Sequence, residues 1–389
     1  MKRYKFPLST STWDDEEYKA IDRVIKSGIF TMGKEVEKFE KIFSNYIGSK
    51  YSLMVNSGSS ANLLMIAALF FKQKNPLCRN DEIIVPALGW STSYFPLQQY
   101  GLKIKFVDIN IYTLNYDLEN LSKSITDKTK IILAINILGN PNNFTEIQKL
   151  CKEKNITLLE DNCESLGAEY KNKKAGTFGL IGTYSTFFSH HISTMEGGIV
   201  CTDNEELYQI MLCLRAHGWT RNLPKENILT GNKSNDKFEE FFKFILPGYN
   251  LRPLEMSGAI GQEQIIKLPK FINMRRKNAL LFQEVMSNNT HIQIQEEIDK
   301  SSWFGFSLTI KDPTKISRKD LREKLIENGF EVRPVVTGNF TKQPVMKFLN
   351  ADTYGNLKNA NYIDSHSLFI GNNHFNMEEA ITKLGEIRF

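Results

Sequence analysis

The chain has 389 residues, 41% of them hydrophobic, and a net charge of +5 from 49 basic and 44 acidic side chains spread along its length. That length allows one large core and a smaller second one, while charge this mild and dispersed argues against a nucleic-acid partner and favours at most anionic small molecules. No apolar run approaches the roughly 18–20 residues of a membrane span, and the basic start is followed by no signal-peptide pattern. The five cysteines (Cys78, Cys151, Cys163, Cys201, Cys213) form no C-x-x-C pair, so disulfide scaffolds, metal sites and iron–sulfur clusters are not expected. A soluble protein of the reduced cytoplasm, with no membrane partner, is the expectation.

A first helix is predicted from about Ser11 and Thr12 to Gly28, with Asp14, Asp15, Glu16 and Glu17 in its first turn and Tyr18, Ile21, Val24 and Ile25 on one face. Strands are predicted over 51–55, 82–86, 103–108, 130–137, 156–161, 182–188 and 198–202, interleaved with helices over 60–71, 143–154 and 205–216. This alternation argues for an α/β domain, 1–252, whose mostly parallel sheet is covered on both faces. Residues 222–250 are polar and turn-rich, a long surface loop of the kind that is more often functional or intersubunit than idle. After Pro253 the pattern changes to a helix over 254–266, a basic helix over 273–286, strands over 303–310 and 330–333, and a helix over 318–328. These form a small C-terminal α+β domain, 253–389.

Several segments could carry chemistry. Val55-Asn-Ser-Gly58-Ser59-Ser60-Ala-Asn62 stands where a strand gives way to an apolar helix. Exposed N–H groups and small hydroxyls there suit a phosphate, although an ordinary helix cap reads the same way. Leu158-Leu-Glu-Asp161-Asn-Cys-Glu164 puts an acid at the carboxyl end of a buried strand, where open α/β sheets hold ligands; its plain alternative is an N-cap. Trp90, just after a strand, could stack on a flat ring or belong to the core. His190 and His191 could be a metal pair, but adjacent side chains on an extended segment diverge and no H-x-x-x-H spacing occurs. Either could be a core histidine donating to a carbonyl.

Ser185-Thr-Phe-Phe-Ser-His190-His191-Ile-Ser-Thr-Met-Glu196-Gly197-Gly198 resembles the cofactor-anchoring segment of the DegT/DnrJ/EryC1/StrS sugar aminotransferases, roughly S-F-x-x-x-K-x-x-x-x-x-E/D-G-G. Their lysine forms a Schiff base with pyridoxal 5′-phosphate (PLP); here His190 takes its place. An imidazole keeps acid–base capacity but forms no stable imine, so the resemblance implies PLP, or its pyridoxamine form, bound non-covalently with His190 as base. It implies an aspartate-aminotransferase (PLP fold type I) architecture. It further implies that Gly58, Ser59, Ser60 and Ser185 bind the cofactor phosphate, Asp161 meets the pyridinium nitrogen and Trp90 stacks on the ring. Glu164 stands where most members have glutamine or histidine. Gly248-Tyr-Asn250-Leu-Arg252 is similar to a G-x-N-x-R segment whose asparagine reaches the neighbouring subunit's cofactor, which implies a homodimer with shared active sites.

Longer segments, among them Asp161-Asn-Cys-Glu-Ser165, Arg215-Ala-His-Gly-Trp-Thr-Arg221 and Val336-Thr-Gly-Asn-Phe340, are similar to a branch that removes the C3 hydroxyl of GDP-4-keto-6-deoxy-D-mannose. That branch uses L-glutamate as amino donor and serves colitose and O-antigen synthesis. His217, Arg221 and Phe242 are candidates for the sugar-nucleotide or glutamate pocket, with solvated surface as their plain alternative. The competing functions are a nucleotide-sugar 4-aminotransferase and a non-catalytic PLP-fold binding protein.

Overall fold

Runs such as Glu82-Ile-Ile-Val-Pro86 are apolar at consecutive positions, which suits strands buried on both faces. In the protein, described over residues 4–388 by a computed structural model, such runs form the centre of an eight-stranded sheet. Its strands begin with β1 (Tyr51–Val55), β2 (Glu82–Pro86), β3 (Lys103–Val107), β4 (Thr129–Ile135) and β5 (Thr157–Asp161). A short hairpin, β6 (Glu169–Tyr170) with β7 (Lys173–Lys174), precedes β8 (Ile181–Ser185) and β9 (Gly198–Thr202). The sheet order is β1-β9-β8-β5-β4-β2-β3, and β9 alone runs against its neighbours. The parallel strands therefore end at one edge, where the segments that follow them converge.

Alternate residues serve opposite faces. Ile83 and Val85 join a core with Leu64, Phe106 and Ile210, whereas Ile84 joins Ile132, Phe144 and Ile147 on the other side. The covering helices are α1 (Asp15–Ser27), α2 (Lys34–Ile47), α3 (Gly58–Leu69), α4 (Ser91–Gln99), α5 (Leu118–Ser124), α6 (Phe144–Lys154) and α7 (Glu205–Arg215). On α1 the buried residues are Glu17, Ala20 and Val24, while Tyr18 and Ile25 are 60% and 52% exposed. The expected apolar stripe is thus rotated, because Glu17 is drawn inward by Gln264 and Lys267, each at 2.7 Å. Residues 222–250 hold a hairpin, β10 (Glu226–Asn227) with β11 (Gly231–Asn232), and the short α8 (Lys237–Glu240).

The two helices predicted over 254–266 and 273–286 are one, α9 (Glu255–Met286), 32 residues long and continuous through Pro269. A proline inside a helix removes one hydrogen bond; packing against α1 and α2 holds the helix together. Beyond it, β12 (Ile292–Gln293), β13 (Gly305–Ile310), β14 (Val332–Arg333) and a later strand form an antiparallel sheet. The remaining elements are α10 (Arg318–Glu327), β15 (Ala351–Thr353), α11 (Lys358–His366), β16 (Ser367–Gly371), which completes that second sheet, and α12 (Glu378–Glu386). Phe282, Phe306, Leu325, Phe330 and Leu384 fill its core. Backbone pairing crosses the division expected at 252/253: β15 pairs with β3 of the large sheet, and Phe6 bridges to Phe330 beside the second sheet. No helix is long and apolar enough to cross a membrane among the described residues.

The α2–α9 contact shows how closely the parts fit. A Cβ on Gly258 would lie 2.6 Å from the Val36 backbone, and one on Gly261 2.8 Å from the Phe39 ring, so both positions need glycine for the helices to approach. The buried Glu255 carboxylate accepts from the backbone N–H groups of Gly33 (2.6 Å), Glu35 (2.6 Å) and Val36 (3.3 Å), capping the start of α2 from another helix. Its removal strands those donors. Glu255→Ala should cost about 1–3 kcal/mol, read as a lower urea midpoint at unchanged slope; an unchanged midpoint would show that the cap is dispensable.

Candidate active site

Asp161 ends β5 and Ser185 ends β8, while Ser57 and Trp90 follow β1 and β2. Gly198 begins the reversed β9, which brings the Glu196–Gly198 turn to the same edge. Together they surround a cavity of about 390 Å³ whose walls include Gly58, Ser59, Trp90, Asp161, Glu164, Ser185 and His190. Gly58 sits where it must: a Cβ there would lie 2.7 Å from Ser185 Cβ and 3.1 Å from Cys163 Sγ. Ser57 caps α3 by accepting from the Ser60 N–H (3.1 Å), and the Ser60 hydroxyl donates to Asn56 Oδ1 (2.6 Å). Ser60 therefore stands beside the cavity and does not line it, whereas Gly58 and Ser59 face it from the helix start.

The two acids of Glu160-Asp161 diverge by strand alternation. Glu160 accepts from Gly176, Phe178 and Gly179 N–H groups, each at 2.6 Å, and holds that turn. Asp161, only 3% exposed, faces the cavity. Its Oδ2 accepts from Ser93 Oγ (2.6 Å) and Asn62 Nδ2 (2.8 Å), and its Oδ1 from the Cys163 N–H (3.0 Å). Thr183 Oγ1 donates to Asn62 Oδ1 at 2.6 Å, which fixes the amide so that its NH₂ points to Asp161. All three donors are neutral, so the carboxylate is held by hydrogen bonds alone.

His190 occupies the opposite environment. Its imidazole lies between Phe187, edge-on at 6.0 Å, and Phe304, tilted at 5.3 Å. Burial pushes its pKa down to about 4, opposed by the negative charge of Asp161 and helped by Arg275. The ring is therefore a neutral imidazole at physiological pH. Its Nδ1 has no hydrogen-bond partner. Glu164 accepts from the Leu138 N–H at 2.9 Å, and burial, reinforced by the charge of Asp161, pushes its carboxyl up to about 7.

The other expected residues gather elsewhere. Ala216 bridges to Asn250, and the His217 N–H donates to the Tyr249 carbonyl. The His217 ring meets Trp219 at 4.9 Å, the Arg221 guanidinium lies over Trp219 at 4.4 Å, and Phe242 meets Trp219 at 6.1 Å. Asn250, His217, Arg221 and Phe242 thus form a second cluster, and none of them lines the cavity of its own chain. The sequence reading missed Ser93, Thr183, Phe187 and Phe304 as parts of the site. Ser93 could have been found three residues after Trp90; Phe304 carries no local signal.

The cavity suits a flat, cationic, phosphate-bearing ring such as protonated PLP. The Asp161 carboxylate is satisfied only by neutral donors, the α3 start with Ser185 offers an anion cradle, and the Trp90 ring is 57% exposed beside it. The histidine also sets a pH signature. His190 has a folded-state pKa below its unfolded value, so its contribution to stability is present above about 6.5 and lost as pH falls toward 4. Wild type should therefore lose stability relative to His190→Asn across that window, with a ceiling of about 3 kcal/mol reduced by the ring's partial exposure. Parallel acid-unfolding curves of the two proteins would refute the assigned neutral imidazole.

Residues 11–384 match the profile of the DegT/DnrJ/EryC1/StrS aminotransferase family. The chain is 60% identical over 383 residues to a GDP-4-keto-6-deoxy-D-mannose 3-dehydratase of Yersinia pseudotuberculosis, covering 98% of both. It is also similar to the structure of E. coli GDP-4-keto-6-deoxy-D-mannose-3-dehydratase with bound hydrated PLP, with a TM-score of 0.97, 57% identity and 99% of each chain covered. A structure of GDP-4-keto-6-deoxymannose-3-dehydratase with a trapped PLP–glutamate geminal diamine matches with the same TM-score and identity, over 98% of this chain and 99% of that one. The chain belongs to the DegT/DnrJ/EryC1/StrS aminotransferase family.

Proposed function

We infer that the chain is a PLP-dependent 3-dehydratase that removes the C3 hydroxyl of GDP-4-keto-6-deoxy-D-mannose, with L-glutamate as amino donor. The observation that carries this is His190, a neutral base in the wall of a cofactor cavity where the family's lysine would stand. The balance is one nucleotide sugar and one glutamate in, and one 3,6-dideoxy-4-keto sugar, one 2-oxoglutarate and one ammonia out. PLP and its amine form supply, when bound, an electron sink next to the carbon they hold. The N–H groups at the start of α3 with Ser59 and Ser185 would hold the phosphate, and Trp90 would cover the ring face. Asp161 stabilises positive charge at the ring nitrogen. His190 accepts a proton inside the cavity and delivers one to the C3 oxygen as it departs. Having no primary amine, His190 leaves the cofactor untethered.

The second cluster supports a homodimer with shared sites. Phe241, Phe242 and Phe244 are exposed beside Trp219, with Phe242 at 63%. Contiguous apolar rings of this kind mark a contact or ligand surface. In this assembly Asn250, His217, Arg221 and Phe242 of one subunit complete the cavity of its neighbour, where a guanidinium suits a diphosphate or a glutamate carboxylate. The five cysteines are all unpaired, which accords with a cytoplasmic enzyme of deoxysugar and O-antigen synthesis.

Incubation with PLP, glutamate and the GDP-4-keto sugar tests the assignment by following ammonia, 2-oxoglutarate and the sugar together. A stable 4-amino sugar without ammonia would make the protein an aminotransferase; unchanged cofactor absorbance on adding glutamate would make it a binding protein. His190→Lys should lower dehydration by about 10²–10⁴-fold and keep the cofactor attached through reduction and denaturation. Full turnover in that variant would remove the base from His190.

A further inference from the structure

His191 is a buried imidazole that the proton transfers leave unused. It is completely enclosed, its Nδ1 has no hydrogen-bond partner, and its Nε2 lies 3.2 Å from the Ser302 carbonyl oxygen. A carbonyl only accepts, so Nε2 carries the hydrogen and the ring is the neutral Nε2–H tautomer. Burial, aided by the Arg275 cation, pushes its pKa well down, which keeps the ring neutral.

The carbonyl it holds lies at a junction. Ser302 to Phe304 is the passage into β13 of the second sheet. The Ser302 N–H donates to Gly139 O and the Phe304 N–H to Leu138 O, both at 2.9 Å, while Arg275 Nη1 donates to the Phe304 carbonyl at 3.2 Å. Between them, buried Trp303 sits at φ 47°, a left-handed conformation that a bulky residue adopts only when its surroundings impose it. The loop after β4, helix α9 and the His190–His191 segment thus hold this backbone from three sides. Its side-chain product is Phe304, which lines the cavity with its ring 5.3 Å from His190 and 5.6 Å from His191.

We propose that His191 is a positioning residue: by holding the Ser302 carbonyl it fixes the Phe304 ring against His190 and so sets the angle and the hydration of the base. The proposal rests on His190 being the base. An aromatic face kept at one side of an imidazole excludes water from it, and a base displaced by an ångström loses rate without losing its ligands.

The test uses the holoenzyme and three substitutions at position 191. Gln places an amide N–H close to where Nε2 stands, Asn is too short, and Leu has no donor. His191→Gln should keep close to the wild-type kcat for ammonia release. His191→Asn and His191→Leu should lower kcat about ten- to a hundred-fold with the KM for glutamate unchanged. Phe304→Leu should show the same loss and add little when combined with His191→Leu, the signature of residues acting as one unit. Histidine-selective ¹⁵N NMR supplies a readout independent of turnover. In the Asn and Leu variants the His190 signal should titrate closer to the ordinary imidazole value. Its charged and titratable neighbours, Asp161 on β5, Arg275 on α9, His191 itself and the cavity-lining Glu164 and Glu196, are otherwise unaltered. Wild-type kcat in a folded Asn or Leu variant, or an unmoved His190 titration, would overturn the proposal. If the Leu variant fails to fold, Asn and Phe304→Leu decide it. A wild-type enzyme that releases no ammonia would instead overturn the proposed function, and the NMR arm would still judge the tie.

Discussion

A buried carboxylate held without a cation is the constraint around which the site is arranged. Taking a charge out of water costs several kcal/mol even after relaxation, and Asp161 recovers that through Asn62, Ser93 and the Cys163 N–H. Asn62 lies on α3, Ser93 on α4 and Asp161 at the end of β5, so segments distant in sequence must meet within hydrogen-bonding distance. The sheet order supplies the meeting place, and Thr183, on the neighbouring strand β8, sets the amide direction. A charge so firmly held is a standing attraction for a cationic ring. The cofactor's electronics are in this sense written into the packing of α3 and α4 on the sheet.

His190 shows the complementary device. Asp161 lies among hydrogen-bond donors, while His190 lies between Phe187 and Phe304. The first is a polar, hydrogen-bonded setting and the second an aromatic one whose burial favours the neutral imidazole. Glu164, pushed up to about 7, stands between these extremes and can donate or accept near neutrality. As a carboxyl it donates only while it holds its proton, so any hydrogen bond it gives to a ligand is conditional on pH.

Much of the cavity wall was legible in the sequence, because strand ends and helix starts leave local marks. Asp161 after an apolar run and Gly58-Ser59 before an apolar helix are such marks, and the structure brings both to one cavity. What eluded the sequence depends on contacts between distant segments. Phe304 reaches the cavity only because residues 302–304 are laced to the loop after β4, which no periodicity records. The face of α1 was misjudged because an apolar count ignores a buried ion pair, and Glu17 with Lys267 outweighs Tyr18 and Ile25 there. The break expected between 266 and 273 is absent, because α9 runs on through Pro269 with α1 and α2 packed against it. Ser60 carries a finer detail that spacing does not reveal: its N–H serves the Ser57 cap and its hydroxyl donates to Asn56.

The histidine slot also bears on how one scaffold supports two outcomes. Desolvation favours the uncharged form of any cation placed there. A lysine in the same aromatic setting would also be driven toward its neutral form, and a neutral primary amine is a nucleophile for an aldehyde as well as a base. The environment therefore supplies deprotonation in either case, and the side chain decides what the lone pair can do. In the proposed mechanism a lysine here would supply both a base and an amine able to hold the cofactor covalently. Histidine would keep the base and lack the amine, so departure of the neighbouring hydroxyl would meet no competing covalent step at that side chain.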